Sequence, residues 1–356
     1  MSLGTKCIRA NEFRSSQRVV HSEINHSCLK VSRVKVQKCT SYEQSAERSG
    51  VLALKLPRRE SILAIAATAS GYFGITTPTS FAEVAPDVNS IAEEMASLQV
   101  TAIQAYRAKD LDTALAQLDR ISLLDPSNPV WYERRGQVKV DLKRFAEAIE
   151  DFDLAQKLSP ENFISLGLLG NRGLAYEGLS LWPEAVRDYT TAIDLGRSVG
   201  AEEPYILNSR GNCFNSMGRY QEALLDFQAS SAAFIRIRNI SGSVYSQSNA
   251  ALMRAQLGEE DLAVKELKSV ARKAAGSIDA RAALAAIFWS RGEEEKAEEY
   301  WNFACTSINS GIVEKGGPIL DGCALYKDMD WLRRIRRWPP VMVEKMDAFI
   351  NLRSSK

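Results

Sequence analysis

Histidine, cysteine and closely spaced carboxylates are the side chains here that could do chemistry, and their placement excludes most of it. The only two histidines, His21 and His26, fall in the first 30 residues. Serine triads, cysteine–histidine dyads and most zinc hydrolase sites need histidine, so a body freed of that segment could build none of them. Cys7, Cys28 and Cys39 lie in the same front region, and Cys213, Cys305 and Cys323 in the body. Three widely spaced cysteines make neither a disulfide framework nor a zinc site. A single Cys305–Cys323 bridge is conceivable, although small buried thiols are the plainer expectation. Glu202–Glu203 and the run Glu293–Glu295 sit beside turns and read as solvated helix ends, unlike a buried acid–base pair. With no glycine-rich phosphate loop either, the sequence reads as non-catalytic, with no cofactor and no metal.

Binding is the better prospect. Asn208, Asn212 and Asn215 recur at one-turn spacing on one helical face, with Tyr205 just ahead and Asn171 and Arg172 in the preceding repeat. Asparagine side chains can hydrogen-bond the backbone of an extended peptide, so these six residues form the candidate peptide groove. The competing reading is a solvated polar face. Arg333, Arg334, Arg336 and Arg337, between Trp331 and Trp338, could meet anionic lipid or an acidic partner. More commonly such charges are the wet side of a capping helix. A protein or peptide is therefore the expected partner, with peripheral membrane association a further option.

The elements that must position these groups repeat. Pro129–Asn162 places Tyr132, Gly136, Ala148, Phe152, Ala155 and Pro160 at fixed offsets. Small residues at Gly136 and Ala148 suit two helices that cross closely, Phe152 is a bulky knob between hairpins, and Pro160 stops the second helix. A weaker copy precedes it, with Leu98, Ala102, Ala114, Leu118 and Pro126. Later copies are marked by Gly173, Ala185 and Tyr189; by Gly211, Ala223 and Phe227; by Ala251, Ala263 and Leu267; and by Ala285, Ala297 and Trp301. Spacing between marker alanines drifts, with extra residues at 161–166, 196–204 and 238–243, read as longer second helices or loops. This pattern resembles the tetratricopeptide repeat. The resemblance implies an all-α, right-handed solenoid of about six helical hairpins that binds proteins on its concave side. The dicarboxylate clamp of some such domains is absent, since its positions hold Glu133, Gln137, Gly170 and Leu174.

The front of the chain reads as an address. Residues 1–60 carry 12 Lys and Arg against 5 Glu and no Asp, a net of +7; the remainder has a net of −6. A positive field confined to the front argues against nucleic-acid binding by the folded part. Residues 1–60 resemble a disordered plastid transit peptide. Arg58 and Arg59 then precede an uncharged stretch, 61–82, ending in small residues at Ser80 and Ala82. That resembles a twin-arginine signal with cleavage after Ala82. An uncleaved anchor is the competing reading, but Ser, Thr, Gly and Pro in the second half fill a membrane poorly. Residues 83–310 then form the repeat domain, and 311–356 a linker and capping helices.

A two-part leader, degenerate repeats and the terminal Arg336-Arg337-Trp338-Pro339-Pro340 together resemble the plant chloroplast lumen common family. That resemblance implies a place, the thylakoid lumen, more than an activity. The expectation is an interaction scaffold or assembly factor there; a stromal or membrane-anchored adaptor, and an enzyme or small-molecule binder using a carboxylate or lysine, stand behind it.

Overall fold

In a computed structural model of the chain, the described residues are 88–160, 165–201, 203–308 and 323–353. The leader, including Arg58, Arg59, Ser80 and Ala82, lies outside them. Two compact units divide the chain. Residues 98–356 belong to one; of the other, residues 29–97, only the first turns of one helix are described.

Among the described residues six helical hairpins succeed one another: α1 (Val88–Ala108) with α2 (Leu111–Leu124), α3 (Pro129–Asp141) with α4 (Phe145–Leu158), α5 (Leu166–Gly178) with α6 (Trp182–Ser198), α7 (Pro204–Ser216) with α8 (Tyr220–Arg236), α9 (Ile240–Gln256) with α10 (Glu260–Lys273), and α11 (Ile278–Ser290) with α12 (Glu294–Asn302). A π-helical turn, Phe303–Ile308, extends α12. The end of the chain adds a 3₁₀ turn (Leu325–Lys327), α13 (Met329–Arg334) and α14 (Pro340–Arg353). Among the described residues no helix is long and apolar enough to cross a membrane.

Local chemistry sets these boundaries. Asn128, Ser165, Asn239 and Ser277 each cap the first helix of a hairpin by accepting a backbone N–H with the side chain. Pro129 and Pro204 occupy opening positions, where a missing N–H costs nothing. Inside each hairpin the first helix ends on a residue in the left-handed region: Lys109, Lys143, Ser180, Gly218, Gly258 and Gly292 in turn. The next residue's N–H then reaches back to a carbonyl five positions earlier, as from Arg144 to Lys139 (2.8 Å) and from Arg219 to Phe214 (2.8 Å). This is a Schellman closure, and backbone alone completes it.

The marker alanines, Ala114, Ala148, Ala185, Ala223, Ala263 and Ala297, are all fully buried at the same point of each second helix. Their neighbours explain the glycines. A Cβ on Gly136 would lie 2.8 Å from the Phe152 ring, on Gly173 2.5 Å from Tyr189, and on Gly211 2.9 Å from Phe227. Each glycine is thus the seat of the aromatic ring from its own hairpin, so Phe152 packs within its hairpin as well as in the wider core. Tyr132 and Ala155 are buried as well, and α4 stops two residues before Pro160.

The irregular pitch has a plain origin. The second helices α6 and α8 run to 17 residues where α4 has 14. The extra residues at 238–243 lengthen the first helix instead, since α9 begins at Ile240 and also has 17 residues. α14 closes the array by burying Met342, Val343, Met346 and Phe349 in the core shared by α9 to α12.

Candidate functional site

Two sets of polar side chains are built into the stack. The first runs along the second helices. Arg135 forks onto Asp151 through Nε and Nη2 (2.9 and 2.6 Å), Arg172 onto Asp188 (2.7 and 3.0 Å), and Arg210 onto Asp226 (2.7 and 2.8 Å). Each fork spans 16 residues, from the position before the signature glycine to the position before the signature aromatic. The remaining guanidinium N–H reaches the previous hairpin: Asp119 from Arg135, Asp153 and Gln156 from Arg172, Thr190 from Arg210. One arginine therefore ties three helices together with charge-assisted bonds. Arg172 belongs to this set and not to a groove. The sequence does hold a signal for the forks, Arg-Gly followed 16 residues later by Asp-aromatic, beneath the more conspicuous glycine and ring.

The second set faces the other way, along the first helices of hairpins three to six. Asn208 Oδ1 accepts from Ser246 Oγ (3.2 Å) and Asn249 Nδ2 (3.4 Å). Ser246 in turn meets Ser230 Oγ at 2.9 Å. Asn249 Oδ1 accepts from Arg336 Nη1 (2.8 Å), and Arg336 forks onto Asp279 through Nε and Nη2 (2.8 and 2.6 Å). Asp279 also accepts from Ser248 Oγ, Trp338 Nε1 and Tyr326 Oη. A continuous polar chain thus leads from α8 to the terminal segment. Both ends of the final ion pair are buried, Asp279 being 3% exposed and Arg336 5%. Burial opposes ionisation of each, yet the facing charge prevails: the Asp279 pKa is lowered and that of Arg336 raised.

The neighbouring arginine repeats the theme. Arg337 donates through Nη1 to Glu177 (2.5 Å), and its guanidinium lies 5.2 Å from the centre of the Trp182 ring. Its carbonyl accepts from Asn215 Nδ2 at 2.7 Å. The Val341 N–H donates to Gln256 Oε1 (2.9 Å). Residues 335–339, the strap, therefore lie across α5, α7, α9 and α11.

The candidate groove residues separate accordingly. Asn215 touches the strap, and Asn208 supports it through Asn249. Tyr205 is buried against Phe234 and accepts from Asn239 (2.8 Å). Asn171 is buried on α5, and Asn212 is half-buried on α7. The terminal arginines also separate: Arg333 and Arg334 are solvated, as a capping helix predicts, whereas Arg336 and Arg337 turn inward, against that expectation. The cause is the acidic pair Asp279 and Glu177, which the linear sequence places far from them.

Cys305 and Cys323 are joined as a disulfide, with Cα atoms 5.4 Å apart, where separate thiols were the plainer expectation. Cys213 is a free, buried thiol, and burial followed by the Glu177 carboxylate pushes its pKa up.

Hairpins of this geometry, stacked in register with glycine seats and small marker residues, define a tetratricopeptide-type helical solenoid. A family model described as "Tetratricopeptide repeat" matches residues 101–163 and 171–234. The human "Tetratricopeptide repeat protein 13" is 28% identical over 120 residues, 34% of this chain. The chain spans only 13% of the length of that relative. Among solved structures, MamA is 19% identical with a TM-score of 0.44, covering 51% of this chain and 92% of its own. YrrB, titled "a TPR protein with an unusual peptide-binding site", is 22% identical with a TM-score of 0.41, covering 50% and 86%. PilF of Pseudomonas aeruginosa is 14% identical with a TM-score of 0.48, covering 62% and 95%.

Proposed function

We propose that this chain is a protein-interaction scaffold that holds a partner segment along the face formed by the first helices of its hairpins. One observation carries the reading: that face already holds non-helical polypeptide, residues 335–339, through side-chain bonds to both its backbone and its side chains. Tetratricopeptide folds bind protein or peptide partners, which supports the same class. A binding role fits better than an enzymatic one, because the buried Asp279 and the half-buried Glu177 are both spent on ion pairs.

On α1 and α3, the positions matching Asn208, Asn212 and Asn215 hold Gln99, Ile103 and Tyr106, and Glu133, Gln137 and Val140. The Tyr106 hydroxyl donates to Asp141 (2.6 Å), and Glu133 accepts from Ser165 (2.9 Å). Burial raises the Glu133 pKa, against the Ser165 hydrogen bond, so its surroundings disfavour the ionised form. This makes Glu133→Gln informative: stability is expected to hold or rise while partner recovery from native membranes falls, most clearly in combination with Gln137→Ala. Unchanged recovery from the folded double variant would remove the assignment.

The proposed location is the thylakoid lumen, as an assembly or maintenance factor. The two-part leader supports it, and so does the Cys305–Cys323 pair, since disulfides persist in oxidising, exported compartments. Mass spectrometry of the mature protein is expected to find an N-terminus near Glu83. A start near residue 55–61 would point to the stroma instead.

A further inference from the structure

We propose that the face between α5 and α11 is a receptor for a protein segment bearing an arginine pair followed by tryptophan, a site that the chain's own strap occupies in cis. The proposal rests on the scaffold reading and names the ligand chemistry of its C-terminal half.

The receptor uses one recipe twice. Arg336 meets a carboxylate (Asp279), a side-chain amide (Asn249) and an aromatic ring, the Tyr245 centre lying 5.0 Å from the guanidinium carbon. Arg337 meets a carboxylate (Glu177) and a ring (Trp182), while an amide (Asn215) takes its backbone carbonyl. A carboxylate fixes the guanidinium charge, and a ring accepts its flat face; lysine satisfies neither geometry as well. Trp338 completes the motif by donating its indole N–H to the same Asp279 at 3.1 Å. Every receptor group comes from α5, α6, α7, α9 or α11, none from the strap.

The strap also bends to fit. Arg337 sits at φ +58°, a left-handed conformation that residues other than glycine adopt at a steric cost. Its contacts on both sides hold it there. A segment of another protein with this sequence chemistry would find the same partners, but must compete with a strap tethered at an effective concentration on the order of millimolar.

The test uses a labelled peptide, Arg-Arg-Ile-Arg-Arg-Trp-Pro-Pro-Val (residues 333–341), against the full chain. Intact protein is expected to bind it about tenfold or more weakly than the Arg336→Ala/Arg337→Ala variant, in which both guanidinium subsites are vacated. A scrambled peptide of equal charge should bind the variant about tenfold less well. Equal binding by both proteins, or by both peptides, overturns the proposal. Circular dichroism establishes whether the double variant folds. Should it not, Arg337→Ala alone vacates the Glu177 and Trp182 contacts; a gain in peptide binding that Glu177→Gln cancels supports the receptor, and no gain overturns it. Failure here with partner recovery through Glu133 and Gln137 intact would remove the receptor and leave the scaffold standing, and the converse result would do the reverse.

Discussion

Hairpins two to four and the C-terminal end solve the same packing problem by opposite means. In the former, each hairpin carries its own glycine seat, aromatic ring and arginine–aspartate fork. The equivalent seats in hairpins five and six are Ala251 and Ala285, facing Leu267 and Trp301, and all four are essentially buried. Hairpin five keeps one partly buried arginine tie, Arg254 to Glu266 (2.9 Å), but the fully buried polar groups here converge on one carboxylate, Asp279, which accepts bonds from Ser248, Tyr326, Arg336 and Trp338. Cohesion is thus distributed in one region and concentrated in the other. Loss of a single group should therefore be mild among the repeats and severe at the end.

The sharpest way to break that contrast is Asp279→Ala. Removing one partner of a buried ion pair costs about 3–5 kcal/mol, because the other charge is left without compensation. Equilibrium urea unfolding would measure the loss. The pH dependence has a definite sign. Because folding lowers the Asp279 pKa below its ordinary 3.8, its contribution is complete above that value and is lost as pH falls through the lower folded value. Wild type should therefore lose stability in strong acid more steeply than Asp279→Asn.

Next comes Cys305→Ser. Cross-linked residues 18 apart are expected to contribute about 3 kcal/mol by restricting the unfolded chain. Unfolding compared with and without reductant checks this, the variant being insensitive to reductant. Among the repeats, Gly173→Ala should cost about 1–3 kcal/mol, since its Cβ would crowd the Tyr189 ring. A cost equal to that of Asp279→Ala would erase the contrast. At the bottom of the scale, Arg334→Ala removes an exposed pair with Asp330 at 3.5 Å and should change stability by less than about 0.5 kcal/mol.

The hairpin register was legible because small and aromatic residues recur at offsets that only close helix crossing explains. Even the turn residues agree: Lys143-Arg144-Phe145 and Gly218-Arg219-Tyr220 occupy the same left-handed closure. The polar site was legible only in part. One-turn spacing put Asn208, Asn212 and Asn215 on a face, but α7 is packed on most sides, so periodicity could not separate interior from solvent. The strap was out of reach for a different reason. Arg336 finds Asp279 across 57 positions and Arg337 finds Glu177 across 160, and no local pattern encodes such a meeting.

That long reach changes how the molecule should come apart. A stack of hairpins in which each touches only its neighbours can fray from either end, one unit at a time. The strap ties the third hairpin directly to the sixth, turning that part of the ladder into a closed circuit. Hairpins three to six should then exchange their backbone hydrogens as one cooperative block, whereas the first two open on their own and sooner.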